Sequence, residues 1–142
     1  MRELHGAYFE DLKLGQTATF GRTITDADIV LYAGLSGDTN PIHLNHDFAS
    51  PSMFRGRIAH GMLTAGLIST VFGTKLPGPG CIYISQSLNF RRAVRAGDTV
   101  LARCTVTKLD DDKKIATFAT LCTVNGKSVL DGEALIMVPT RP

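Results

Sequence analysis

Tyr32-Ala-Gly-Leu-Ser-Gly-Asp-Thr-Asn-Pro-Ile-His43 is the stretch that says most about this chain. Asp38 and His43 stand five positions apart, with Asn40 and Pro41 between them. Proline restricts its own φ angle and disfavours a helical residue before it, so the chain is expected to bend at this point. Such a bend can bring a carboxylate and an imidazole together, where both can hold and polarise one water molecule.

This segment resembles the signature of the (R)-specific enoyl-CoA hydratases, which are the MaoC-like or hydratase 2 family. The positions that carry the resemblance are Tyr32, Leu35-Ser36-Gly37-Asp38, Asn40-Pro41-Ile42-His43 and Ala49. Further similarity lies in Ala59-His60-Gly61-Met62-Leu63 and in the stretch from Phe90 to the Gly97-Asp98 turn. The resemblance spans roughly the whole chain and implies one hot-dog domain over residues 1–142.

The composition predicts an ordinary globular protein. The chain has 142 residues, 44% of them hydrophobic and 20% charged, with a formal charge of +2, which gives no argument for a nucleic-acid partner. Three isolated cysteines, Cys81, Cys104 and Cys122, are expected to be reduced. The N-terminus shows no export signal, and the longest apolar segment, residues 61–73, is too short to cross a bilayer. We therefore expect a cytoplasmic protein without a membrane partner.

Hydrophobic periodicity predicts an α+β fold. A strand is expected at residues 17–23, followed by a helix that begins at Thr25 with a capping box to Asp28 and ends near Asp38. Residues 45–56 are expected to form an irregular loop, and residues 61–72 a helix that is buried on nearly all sides. Strands are expected at 81–90, 99–109, 114–124 and 128–138, with turns at 110–113 and 125–126. Several α+β packings satisfy this pattern. The hot-dog arrangement, an antiparallel sheet wrapped around a central buried helix, is what the resemblance implies.

The resemblance also implies site residues. Asp38 and His43 correspond to the catalytic pair of a lyase that reversibly adds water to trans-2-enoyl-CoA and gives (R)-3-hydroxyacyl-CoA. Gly61 is a candidate oxyanion donor, because its N–H is expected at a helix N-terminus. Ser69 matches a family position near the catalytic acid, although a serine that bonds its own helix carbonyl explains it equally well. His60 is expected to serve structure at the helix entrance. The sequence leaves open which of Asp38 and His43 returns the proton to C2.

Other candidate sites are weaker. Arg91 and Arg92, and also Arg95, Arg55 or Arg57, can meet the phosphates of coenzyme A, but a solvated basic face explains them as well. His43 and His46 form an H-x-x-H pattern, yet no third ligand is nearby in sequence, and the chemistry needs no metal. We expect no metal and no cofactor, since coenzyme A is part of the substrate. The resemblance implies a homodimer, and a role in fatty acid metabolism that includes polyhydroxyalkanoate synthesis.

Three alternative functions stay open at this point. The first is a dehydratase that acts on acyl-carrier-protein thioesters, because carrier specificity depends on surface residues that the sequence does not place. The second is a non-catalytic module that binds acyl-CoA, against which the intact Asp38 and His43 argue. The third is a thioesterase, since hot-dog proteins also hydrolyse thioesters.

Overall fold

The computed structural model, which describes all 142 residues, contains a six-stranded antiparallel sheet. Its strands are β1 (Thr17–Thr23), β2 (Ile82–Gln86), β3 (Asn89–Phe90), β4 (Thr99–Asp110), β5 (Ile115–Val124) and β6 (Lys127–Met137). They follow the order β1-β4-β5-β6-β2, and β3 pairs with β6 next to β2. The sheet therefore has two free edges, one along β1 and the other along β2.

The three long strands follow the predicted alternation. In β4, Val100, Ala102, Cys104 and Val106 are buried and their neighbours point away from the core. Asn125 and Gly126 both have positive φ, +50° and +78°, as the two-residue turn between β5 and β6 requires.

The predicted strand at 81–90 is wrong in one respect. Ser87 and Leu88 interrupt the ladder and separate β2 from β3, and a bulge between Tyr83 and Ser85 shifts the register within β2.

Four helices complete the fold: α1 (Asp26–Ser36), α2 (Pro41–Leu44), α3 (His46–Ala49) and α4 (Gly61–Thr74). The capping box of α1 is confirmed, because the Asp28 N–H donates to Thr25 Oγ1 at 3.1 Å and the Thr25 N–H donates to the Asp28 carboxylate at 2.9 Å. These contacts and the guanidinium of Arg22 hold the pKa of Asp28 below its usual range.

The expectation of an irregular loop at 45–56 is wrong at its start. Asn40 and Asn45 each cap a one-turn helix, α2 and α3, by accepting a backbone N–H. Asparagine is a strong N-cap and proline is favoured at the first helical position, so Pro41 bends the chain and also begins α2.

Helix α4 packs on one face of the sheet, where it contacts β1, β4, β5 and β6. Leu67, Ile68, Val71 and Phe72 are buried in a core cluster of 23 residues. Each such side chain contributes about 1.5–3 kcal/mol when buried. No helix is long and apolar enough to span a membrane.

The prediction that α4 is buried on nearly all sides is wrong for this chain. Met62, Gly66 and Ser69 are exposed and form a stripe at helical spacing. The physical reason is that the sheet covers only one side of the helix, whereas the stripe lies on the other.

We predict that Thr25→Ala lowers the free energy of unfolding by about 1 kcal/mol, because the N-cap acceptor of α1 is lost. Chemical denaturation measures the change. Thr140→Ala is the control, since Thr140 is exposed and its hydroxyl makes no hydrogen bond. Equal stability of the two variants would contradict the proposed contribution of the cap.

Candidate active site

A cavity of about 360 Å³ opens at the N-terminus of α4. It lies between the segment that follows α1, the segment before α4 and the residues after β3. Its walls combine polar groups with apolar side chains, and the lining residues are Asp38, His43, Phe54, Ile58, Ala59, His60, Gly61, Met62, Thr64, Phe90, Arg91, Arg92, Ala93 and Val94. Asp38, His43 and Gly61, which are distant in sequence, thus share one cavity.

The turn after α1 presents the carboxylate of Asp38. Gly37 ends the helix in the left-handed region, with φ +79°, a conformation that glycine adopts without strain. Ser36 Oγ accepts the Asp38 N–H at 3.1 Å, and the Asp38 carboxylate accepts the Asn40 N–H at 3.3 Å. Asp38 is exposed, so its carboxylate is open to molecules in the cavity.

His43 lies on α2 and is 93% buried, since its exposed fraction is 7%. Its Nδ1 lies 2.8 Å from the carbonyl oxygen of Ile58. A carbonyl can only accept, so Nδ1 carries a proton, and in the neutral ring Nε2 is an acceptor. Arg57 holds the same turn, because its Nε donates to the His43 carbonyl at 2.8 Å while its guanidinium pairs with Asp26 at 2.7 Å.

Asp38, His43 and His60 each place a side-chain oxygen or nitrogen within 4.8 Å of those of the other two. Hydrogen bonds of about 2.8 Å allow one water molecule to bond two groups at this separation. The geometry therefore suits a water that is shared by Asp38 and His43.

His60 is the residue whose place in the site the sequence reading missed. It is the N-cap of α4 and only 2% exposed. Its ring stacks on His43 with centroids 3.8 Å apart and lies 4.7 Å from the Tyr32 ring. The signal available in the sequence was its place in Ala59-His60-Gly61-Met62-Leu63, a stretch that carries part of the family resemblance.

The three residues are a poor fit to a metal ion. A transition metal needs the lone pairs of its imidazole ligands, which lie in the ring planes, directed at one point about 2.0–2.1 Å away. The rings of His43 and His60 are stacked with 28° between their planes, so one must leave the stack before both can face one ion. His46, the other half of the H-x-x-H pattern, is exposed, and its ring contacts the Ser50 hydroxyl.

Gly61 is the first residue of α4, and its N–H has no backbone or side-chain acceptor in the protein. An unpaired N–H at a helix N-terminus favours negative charge. A Cβ at this position would lie 2.5–2.6 Å from ring atoms of Phe90, so any other residue would have to displace this ring. The structure thus places a free donor in the same cavity as Asp38 and His43.

Ser69 lies elsewhere. It is exposed on α4 and lines a second groove of about 430 Å³ with Met62, Tyr83 and Ile84, among others. Within one chain its hydroxyl makes no hydrogen bond with Asp38, so its role near the acid stays a prediction.

Arg91 and Arg92 are exposed at the cavity, but they differ in their partners. Arg91 forms a two-point pair with Asp131, at 2.9 and 3.2 Å. This contact raises the pKa of Arg91 and lowers that of Asp131. The side chain of Arg92 donates only to the Ser128 carbonyl, at 3.3 Å, so its charge has no carboxylate partner.

Comparisons with known proteins identify the family. Residues 11–127 match the family model described as MaoC like domain. The chain is 60% identical over 134 residues to the (R)-specific enoyl-CoA hydratase of Rhodospirillum rubrum, covering 94% of this chain and 93% of that protein. It is 50% identical to the 3-hydroxybutyryl-CoA dehydratase of Methylorubrum extorquens, covering 98% and 88% of the two chains.

The solved structure of the R-hydratase PhaJ1 from Pseudomonas aeruginosa superposes with a TM-score of 0.91. It is 40% identical in sequence, and the match covers 97% of this chain and 89% of that one. The sheet and helix described above are therefore those of a hot-dog fold, and the chain belongs to the MaoC-like hydratase family.

Proposed function

We propose that this protein catalyses the reversible addition of water to trans-2-enoyl-CoA, giving (R)-3-hydroxyacyl-CoA. The observation that carries the proposal is the cavity in which the Asp38 carboxylate and the buried His43 lie within 4.8 Å of each other, beside the free N–H of Gly61. Both relatives described above bear names of enzymes that act on CoA thioesters. The (R) configuration follows from the family and the name of the first relative.

In the proposed reaction one water serves both ends of the double bond. Asp38 and His43 Nε2 accept hydrogen bonds from this water and remove one proton as its oxygen attacks C3. The electrons of the double bond move onto the thioester carbonyl and form an enolate. The pair then returns the proton to C2, so the atoms of water are added to the same face. General acid-base help of this kind contributes about 10²–10⁴ in rate.

The enolate oxygen needs donors that are already in place. The N–H of Gly61 meets this need, because it has no competing acceptor and lies at the positive end of the 14-residue helix α4. The proposed steps move protons only between water, the catalytic pair and the substrate, and they require no metal or cofactor.

The first experiment follows the absorbance of the conjugated enoyl thioester when the protein meets crotonyl-CoA and longer trans-2-enoyl-CoAs. An (R)- or (S)-specific dehydrogenase traps the product. We expect the absorbance to fall and the product to be oxidised by the (R)-specific dehydrogenase but not by the (S)-specific one. No loss with any CoA ester, but loss with an acyl-carrier-protein ester, assigns the dehydratase alternative, and no loss with either assigns the binding module.

Release of free thiol distinguishes a thioesterase from a hydratase. A thiol reagent can be used at neutral pH with little background from the core of the protein. Burial raises the pKa of Cys104 and of Cys122 to about 12, so both thiols are protonated and shielded.

The free cysteines also fit a reducing compartment, and we propose a cytoplasmic location on this basis. The product then lies where fatty acid metabolism and polyhydroxyalkanoate synthesis can use it.

We predict that Asp38→Asn lowers turnover by about two or more orders of magnitude, because an amide cannot accept the proton of water. His43→Gln should behave similarly. Steady-state kinetics with crotonyl-CoA measure both, and circular dichroism checks the fold. His46→Gln is the matched control and should retain activity, since His46 lies outside the cavity. A folded Asp38→Asn variant with normal turnover contradicts the mechanism.

We predict that Arg92→Ala raises the KM for crotonyl-CoA more than Arg91→Ala does. Arg92 is free to meet a phosphate, whereas Arg91 is already paired with Asp131. The comparison substrate is crotonyl-N-acetylcysteamine, which carries the thioester but no phosphates. Equal effects of Arg92→Ala on both substrates would show that Arg92 does not act through the phosphates.

We propose further that the protein is a homodimer that pairs β2 with β2 of a second copy. Edge strand β2 exposes Ile82, Tyr83 and Ile84, and the exposed stripe of α4 runs beside it along the second groove. An open edge with large apolar side chains is a ready surface for strand pairing. A two-fold contact here joins two sheets into one and covers Ser69.

Light scattering after gel filtration tests the dimer. We expect a mass twice that of the 15.3 kDa chain. Ile84→Lys should shift the protein toward monomer, because it buries a charge in the contact. Leu14→Lys is the control, since it places the same change on an exposed loop residue away from β2. A wild-type protein of single-chain mass overturns the proposal.

A further inference from the structure

The turn that carries Asp38 has one hydrogen bond to a distant part of the chain. Within residues 37–40, the other backbone and side-chain hydrogen bonds all connect to residues between 33 and 43. The exception joins His60 Nε2 to the Asp38 carbonyl oxygen at 2.9 Å, across 22 positions of sequence. The position of the catalytic carboxylate relative to the sheet therefore depends on a side chain at the start of α4.

The same imidazole also limits the motion of His43. The two rings stack with centroids 3.8 Å apart, and Tyr32 lies against His60 at 4.7 Å. The imidazole of His43 makes one hydrogen bond, from Nδ1 to the Ile58 carbonyl. A single hydrogen bond leaves the ring free to pivot, and the stacked ring of His60 restrains this motion. His60 is 2% exposed, and its ring is held by the hydrogen bond to the Asp38 carbonyl and by the contact with Tyr32, so it limits the space into which His43 can move.

The two ring nitrogens of His60 differ in their partners. Nε2 must carry the proton because the Asp38 carbonyl can only accept. Nδ1 is buried and has no partner in the protein. A buried polar atom of this kind costs stability, which is unusual for a side chain that serves packing alone. A phenylalanine of similar size would fill the same space without that cost.

We propose that His60 is a positioning residue, which keeps the Asp38 carboxylate, the His43 imidazole and the Gly61 N–H in one catalytic arrangement. It joins Asp38 by a hydrogen bond, His43 by stacking and Gly61 by direct sequence adjacency. The effect on turnover rests on the proposed hydratase function. The effect on the turn at 37–40 does not.

Two substitutions separate the two contacts. His60→Phe keeps a ring against His43 and removes the donor to the Asp38 carbonyl. His60→Gln removes the ring but keeps an amide N–H that reaches about as far as Nε2. A displacement of about 1 Å at a catalytic group can cost on the order of a hundredfold in rate. We expect His60→Phe to lower kcat by about tenfold to a hundredfold with little change in KM. His60→Gln should recover part of the loss.

The matched control is His5→Phe. His5 is also a stacked histidine, with its ring 4.3 Å from that of Tyr8, but it does not line the cavity. This variant should keep the kcat of the wild-type protein. A folded His60→Phe variant with wild-type kcat overturns the proposal, as does a folded His60→Gln variant no more active than His60→Phe.

Hydrogen exchange and NMR provide readouts that need no substrate. The backbone amides of residues 37–40 should exchange faster in His60→Phe than in the wild-type protein, and should be unchanged in His5→Phe. Imidazole spectra of the wild-type protein should show the His60 proton on Nε2. Unchanged exchange in folded His60→Phe overturns the proposal, and a proton on Nδ1 of His60 in the wild-type protein overturns it even if the variants fail to fold. If the wild-type protein lacks hydratase activity, while the Nε2 proton and the faster exchange in His60→Phe are both observed, the proposed function is refuted and the positioning role of His60 stands.

Discussion

The burial of α4 against the sheet is the constraint on which the rest of the structure depends. One face of the helix supplies Leu67, Ile68, Val71 and Phe72 to a core built from β1, β4, β5 and β6. Because these side chains lock the helix in place, its N-terminus is fixed relative to the sheet. A free backbone N–H at Gly61 is useful for chemistry only if it cannot move away from the charge that it must stabilise.

Polar contacts connect the proposed catalytic groups, Asp38 and His43, to the N-terminus of α4. The segment before α4 accepts the Nδ1 proton of His43 through Ile58, while His60 donates to the carbonyl of Asp38. Arg57 connects the same segment to the backbone of His43 and to the start of α1. The proposed catalytic pair thus lies on a turn and a one-turn helix, which have little stability of their own, but both members are hydrogen-bonded to residues directly before α4. This arrangement explains how an exposed aspartate can still have a defined position.

Two surfaces of the chain remain open, and they differ in character. The cavity beside Gly61 combines a carboxylate, two imidazoles and a free N–H with apolar walls, as a site for a polar reacting group on an apolar substrate requires. The groove along β2 is lined by Met62, Tyr83 and Ile84 together with Ser69, and it follows a free sheet edge. Met62 lines both. In the proposed dimer, a second copy covers this groove directly beside the cavity that holds Asp38 and His43.

The sequence by itself determined the local elements, and its resemblance to the family pointed to Asp38 and His43 as the proposed catalytic pair. The capping box at Thr25, the bend at Pro41, the alternation in β4 and the Asn125-Gly126 turn are short-range effects, and the structure confirms each of them. Only the tertiary structure decided that His60 stacks on His43, that Arg91 is paired whereas Arg92 is not, and that one stripe of α4 is left open. These features depend on contacts between residues that are far apart in the chain. Local propensity and periodicity hold no information about such contacts until the helix has packed on the sheet.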